Sequence, residues 1–117
     1  MKNVLIIGST GQIGSELTMK LRAEYAEGNI VAGYIPSAPP TGVLAESGPS
    51  EVVDITNAKQ IAEVVDKYHI DTIYNLAALL SAVAENKPQL AWHIGIDGLM
   101  NVLEVSREQK CAVFPPS

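Results

Sequence analysis

The seven residues Gly8-Ser9-Thr10-Gly11-Gln12-Ile13-Gly14 constrain this chain more than any other stretch. They read GxxGxxG and follow a continuous apolar run, Val4 to Ile7, of the kind buried on both faces of a parallel sheet. Ile13, Leu17 and Leu21 then recur every four residues, the stripe of a helix, with Glu16 and Lys20 at i, i+4 on its polar side. A strand, a glycine turn and a helix in that order suit a phosphate ligand. Gly8 takes the tight turn, Gly11 lets the backbone approach a pyrophosphate, and Gly14 lets the helix pack close on the strand. The free N–H groups of the helix and its dipole add attraction for the anion. A purely structural tight turn is the competing reading of the same glycines.

The rest of the chain repeats the alternation of strand and helix. Gly28-Asn29 ends the first helix, and Ile30 to Ile35 reads as a second strand. Pro36 to Ser50 holds four prolines and two glycines without periodicity, which predicts a loop. Glu51 to Val53 is a short third strand, and Asp54-Ile55-Thr56-Asn57 supplies helix-capping chemistry. Ile61, Val64, Val65 and Tyr68 mark the face of the next helix, and Thr72 to Ala77 is the fourth strand. Pro88 suits the first turn of a long helix reaching about Gln109, and Cys111 to Phe114 is the fifth strand. This order predicts an α/β fold with a doubly wound parallel sheet, Rossmann-like, of five strands in the order 3-2-1-4-5. A ligand belongs at the switch point between strands 1 and 4.

The long helix carries a second signal. Leu90, Trp92, Ile94, Ile96, Leu99, Met100, Val102, Leu103 and Val105 are too many for one stripe, so the helix wants apolar cover on two sides. One side is the sheet; a partner chain or a further segment would provide the other.

Composition narrows the ligand. Eight basic against thirteen acidic residues give a net charge of −5, which argues against DNA, RNA or an anionic membrane surface as partner. A phosphate must therefore be held by backbone N–H groups rather than by a basic field. Cys111 is the only cysteine, so the chain has no internal disulfide and no cysteine-based metal site; in its apolar run it reads as a small buried hydrophobe. The N-terminus runs straight into a strand without a signal peptide, and no apolar stretch approaches the roughly 18 residues of a membrane span. The cytoplasm is the expected address.

Three stretches carry a resemblance: "IIGSTGQIGSEL", "DTIYNLAALLSAVAENKPQLAW" and "GLMNVLEV". They are similar to the extended short-chain dehydrogenase/reductase family, which includes the NAD-dependent epimerases and dehydratases, and look closest to its L-threonine 3-dehydrogenases. The resemblance runs from Met1 to Ser117 without a large gap. It implies NAD as cofactor, with Gly8, Gly11, Gln12, Ile13 and Gly14 at the pyrophosphate. Asp54 and Ile55 match the pair that meets the adenine. Leu76, Ala77 and Ala78 match the segment lying along the cofactor, and Leu80 and Ser81 match the stretch facing the substrate. Pairing of two copies through the helix 88–109 is implied as well. Residue by residue, Asp54 as a plain helix cap and Ser81 as an ordinary loop serine are the competing readings.

Three departures accompany the resemblance. The family usually has an acidic residue at the end of strand 2, gripping the adenosine ribose; here stand Gly33 and Tyr34. Loss of such a charge-assisted hydrogen bond costs about 1.5–3 kcal/mol, roughly 10- to 150-fold in affinity. Tyr34 offers an aromatic face for the adenine, and no Arg or Lys stands near to favour a 2′-phosphate, so NADP is not expected to be the beneficiary. Relatives carry asparagine at the position of Gly95, and His93 on the same helix does not replace it. Finally, the strand matching Cys111 to Phe114 leads in this family to a catalytic serine or threonine, and then to a Tyr-x-x-x-Lys pair. No such pair occurs in the chain: Tyr25, Tyr34, Tyr68 and Tyr74 are followed four residues on by Asn29, Ala38, Thr72 and Ala78.

The expectation is therefore one dinucleotide-binding domain over 1–117, without the catalytic residues or the substrate lobe, not catalytic as an isolated chain. A degenerate nucleotide-binding module, or the N-terminal part of a sugar-nucleotide epimerase or dehydratase, are the alternatives.

Overall fold

The structure, a computed structural model, describes residues 3–10, 12–25, 28–36, 39–76 and 100–114, the side chains of Gln12 and Phe114 excepted. Strand β1 (Asn3–Ile7) has four successive buried apolar residues because it must satisfy two cores at once. Leu5 and Ile7 point into one cluster, with Val53, Ile61, Val64, Ile73, Val102 and Val105. Val4 and Ile6 point into the other, with Leu21, Ile30 and Leu76. Helix α1 (Gln12–Glu24) covers the second face, while α3 (Ala58–Tyr68) and α4 (residues 100–109) cover the first.

Strands β2 (Asn29–Tyr34), β3 (Ser50–Val52), β4 (Thr72–Asn75) and β5 (Ala112–Phe114) complete a parallel sheet ordered β3-β2-β1-β4-β5. That is the predicted order. Ile7 stands beside Gly33 on one side and Asn75 on the other, so β1 ends level with both neighbours.

Three expectations need correction. The segment 36–50 is not all loop, because Gly42–Glu46 forms a short helix, α2. Periodicity cannot reveal five residues with a single buried side chain, Leu44. The fourth strand stops at Asn75, although Leu76 N still donates to Ile7 O at 2.9 Å. The buried line of α1 is Gly14, Thr18 and Leu21, whereas Ile13 is 58% exposed and Leu17 half-buried. A helix lying this near the sheet places small residues at the contact and turns Ile13 outward. Much of the helix expected from Pro88 lies outside the described residues. Within α4, Val102 and Val105 are buried while Met100 (60%) and Leu103 (45%) are exposed, so apolar side chains do occupy two sides.

Helix ends are set locally. Asn57 caps α3, its Oδ1 accepting from Gln60 N at 3.1 Å, and the helix closes on His69 in the left-handed region (φ 52°). Lys110 does the same after α4 (φ 58°). In each case the next amide reaches back five residues, Ile70 N to Val65 O and Cys111 N to Ser106 O, a closure that aims the chain straight into β4 or β5. Lys67 Nζ and Tyr68 Oη both donate to Glu51 Oε1, at 2.7 and 2.8 Å, and latch α3 to β3. The bond from Lys67 is the main cause that holds the Glu51 carboxyl below its usual range. The latch is therefore complete at neutral pH and fades as pH falls through that lowered value.

The connection between β2 and β3 hangs on Arg22, at the end of α1. Its guanidinium donates to Ile30 O, Leu44 O, Pro49 O and Ser47 Oγ at 2.8–3.2 Å. A Cβ on Gly48 would lie 2.5 Å from Arg22 Nε, so glycine there leaves room for the clamp. Lysine cannot bridge four acceptors, and Arg22→Lys is expected to lose about 1.5–3 kcal/mol in urea unfolding. Gly48→Ala should destabilise the wild type but add little to Arg22→Ala; full additivity would show that Gly48 does not serve the clamp.

Candidate functional site

At the C-terminal end of β1 the chain turns under helix α1. Gly8 takes φ 82°, a conformation that disfavours any residue with a side chain. Gly14, in the first turn of α1, sits directly on it: a Cβ there would lie 2.2 Å from Gly8 O and 3.0 Å from Ser9 Cα. Thr18 Oγ1, buried one turn further, donates to Gly14 O at 2.7 Å and holds that turn of helix.

Ser9 ties the turn sideways. It is fully buried, and both its N–H and its Oγ donate to Gly33 O, at 3.1 and 2.9 Å. The glycine turn is thus fastened to the end of β2 through a single carbonyl. Sequence alone did not single out Ser9 or Thr18, because the partner of one is 24 residues away and the other resembles any polar helix residue.

The neighbouring strand ends supply the rest of the rim. Tyr34 closes β2, half-buried, with its carbonyl accepting from Val53 N at 2.8 Å. Beside it runs a groove of about 370 Å³ between β3 and α3, with Gln60, Glu63 and Lys67 in its lining. Asp54 follows β3. Its Oδ1 accepts from Thr56 N and Oγ1 at 2.9 and 2.7 Å, and its N–H donates to Gln60 Oε1 at 2.7 Å. The helix cap is Asn57, so Asp54 shapes the turn before α3 rather than capping it. Ile55 is buried in the core, and its carbonyl accepts from Asn101 Nδ2 of α4 at 2.8 Å. Leu76 is buried at the end of β4.

The predicted residues Gly8, Tyr34, Asp54, Ile55 and Leu76 therefore lie at the C-terminal ends of β1 to β4 or just after them, and Ile13 and Gly14 lie in the first turn of α1. Gln12 opens α1. Gly11, Ala77, Ala78, Leu80 and Ser81 lie outside the described residues, as do Pro88, His93 and Gly95. Helix α1, which follows β1 in the chain, packs on one face of the sheet and α4, the next described helix after β4, on the other, which makes the β1–β4 junction the switch point where α/β sheets bind ligands. The geometry fits a dinucleotide: the turn is bare of side chains at Gly8 and Gly14, and Ile13 stands exposed at the helix start. Among the described residues no cluster of His, Cys, Asp and Glu is suited to a metal ion. No helix among them is long and apolar enough to cross a membrane.

Residues 4–115 match the model of the NAD dependent epimerase/dehydratase family. The chain belongs to that family. It is 44% identical, over all 117 residues, to an uncharacterized epimerase/dehydratase of Staphylococcus saprophyticus, of which it spans 36%. Among solved structures it is similar to the L-threonine dehydrogenase of Clostridium difficile, with a TM-score of 0.85 and 48% identity, covering 100% of this chain and 36% of that one. It also matches a GalE-like L-threonine dehydrogenase of Cupriavidus necator in its holo form. There the TM-score is 0.84 and the identity 38%, over 98% of this chain and 36% of the other. The chain thus spans about a third of the length of the relatives it matches.

Gly14→Ala tests the family's glycine turn in this chain. The added methyl must push α1 off Gly8, and a loss of about 1–3 kcal/mol is expected in thermal or urea unfolding. An unchanged midpoint would mean that the turn and helix are not in contact.

Proposed function

We propose that these 117 residues form the NAD-binding part of an L-threonine 3-dehydrogenase. The observation that carries this is the close glycine contact, Gly14 pressed on Gly8, in a chain 48% identical to a threonine dehydrogenase. Gly8, Gly11, Gln12, Ile13 and Gly14 hold the pyrophosphate with their amides and the α1 dipole. Tyr34 and Asp54 flank the adenosine, where Ile55 contributes backbone, its side chain being committed to the core. Leu76, Ala77 and Ala78 lie along the cofactor, and Leu80 and Ser81 face the substrate.

Bound there, NAD would supply the acceptor for the hydride of the β-carbon of L-threonine, and with the hydroxyl proton passing to a base the product would be 2-amino-3-ketobutyrate. The proton-transfer groups of that reaction are not among these residues, since no Tyr-x-x-x-Lys occurs in them. The proposed division of labour therefore assigns cofactor binding to residues 1–117 and chemistry to a catalytic serine or threonine, a Tyr-x-x-x-Lys pair and a substrate lobe elsewhere in the enzyme. Met100 and Leu103, exposed on α4, support pairing of two copies through the helix 88–109. The cytoplasm is the proposed address.

Calorimetric titration of the protein with NAD tests the binding half of the proposal. A dissociation constant below about 1 mM is expected, equivalent to at least ~4 kcal/mol of binding free energy. Binding weaker than that would leave a structural domain only. Threonine-dependent reduction of NAD by the intact protein, and none by isolated residues 1–117, is the expected division of activity. Steady turnover by residues 1–117 alone would contradict it.

A further inference from the structure

We infer that Tyr34 sets the cofactor choice of this site and leaves it nearly indifferent between NAD and NADP. The inference rests on the dinucleotide reading above and goes beyond it.

Dinucleotide folds select NAD with a carboxylate at the end of β2, which accepts from the ribose 2′-hydroxyl and repels a 2′-phosphate; selection of NADP uses an arginine instead. Two positions are available here. Gly33 leaves little room for a side chain: it is buried, and a Cβ would crowd Ile6 O at 3.0 Å, Leu5 Cδ1 at 3.2 Å and Val53 Cβ at 3.3 Å. Its carbonyl is not a substitute acceptor either, since Ser9 N and Oγ already donate to it, one for each lone pair. Tyr34 is the next residue, half-buried on the rim, and so the only one of the two that can present a side chain to the ribose.

A phenol hydroxyl can donate or accept, so it serves a hydroxyl or a phosphate oxygen. It neither rewards the free diol with a charge-assisted bond nor penalises a 2′-phosphate by repulsion. The surroundings add little preference: Asp54, the carboxylate on the other side of the adenosine, is turned to its own loop, its Oδ1 accepting from Thr56 N and Oγ1 at 2.9 and 2.7 Å. From Gly28 to Ala45 the sequence holds no Asp, Glu, Lys or Arg. In the groove beside Tyr34, Glu51 is paired with Lys67 at 2.7 Å, and Glu63 is exposed and screened by solvent. Relative to a site with the carboxylate, NAD loses affinity and NADP loses its penalty, so the two affinities converge.

The test is calorimetric titration of the intact protein with NAD and with NADP at one ionic strength, for the wild type and for Tyr34→Asp. The two dissociation constants of the wild type should agree within about tenfold. Tyr34→Asp should raise the preference for NAD by about 10- to 150-fold, the value of one charge-assisted hydrogen bond, with thermal melts confirming that the variant is folded. Binding of NAD to the wild type more than about 100-fold tighter than NADP would overturn the inference while leaving the cofactor reading intact. So would an unchanged preference in folded Tyr34→Asp. Failure of the wild type to bind either nucleotide would overturn both.

Discussion

The contact between Gly14 and the carbonyl of Gly8 governs the rest of this molecule. Helix α1 comes so near the end of β1 that not even a methyl fits between them, and the 2.2 Å approach of a Cβ built at Gly14 measures how near. That proximity explains the small residues on the buried side of α1, the outward turn of Ile13, and the internal bond from Thr18 to Gly14. It also leaves the first turn of the helix facing a bare backbone turn, the arrangement in which amide groups and the helix dipole hold an anion best. In a chain with net charge −5, that helix end offers an anion attraction that the overall charge does not.

From that contact the order spreads sideways through neutral hydrogen bonds. Ser9 donates twice to Gly33 O, so the glycine turn after β1 is fastened to the end of β2. Arg22 at the other end of α1 ties down the connection from β2 to β3, with four backbone or hydroxyl acceptors and no carboxylate among them. Asp54 and Asn57 shape the turn into α3, and Asn101 pins that turn to α4 through Ile55 O. The rim of the site is thus built from the ends of four strands, each held by a partner remote in sequence.

What could be read from the residues alone follows that division between local and remote. Strands with continuous apolar runs, such as Val4 to Ile7, and the glycine turn between strand and helix are local patterns, and the sheet order follows from them through right-handed crossovers. Helix α2 is not a local pattern: it rests on one leucine and on an arginine more than twenty residues away. Asp54 reads as a cap because three cap-forming residues, Asp54, Thr56 and Asn57, cluster there, and only the bond from Gln60 N decides for Asn57. Ile13 belongs to the fourfold stripe of α1 yet is exposed, because spacing alone does not reveal which side of a helix is nearer the sheet. The importance of Ser9 becomes visible only once Gly33 is beside it.

The most direct measurement is a crystal structure of the intact protein with NAD. The account predicts the pyrophosphate over the first turn of α1, within hydrogen-bond distance of backbone amides between Gly8 and Gly14, and the adenosine between Tyr34 and Asp54. A dinucleotide bound elsewhere, or a pyrophosphate out of reach of those amides, would contradict it.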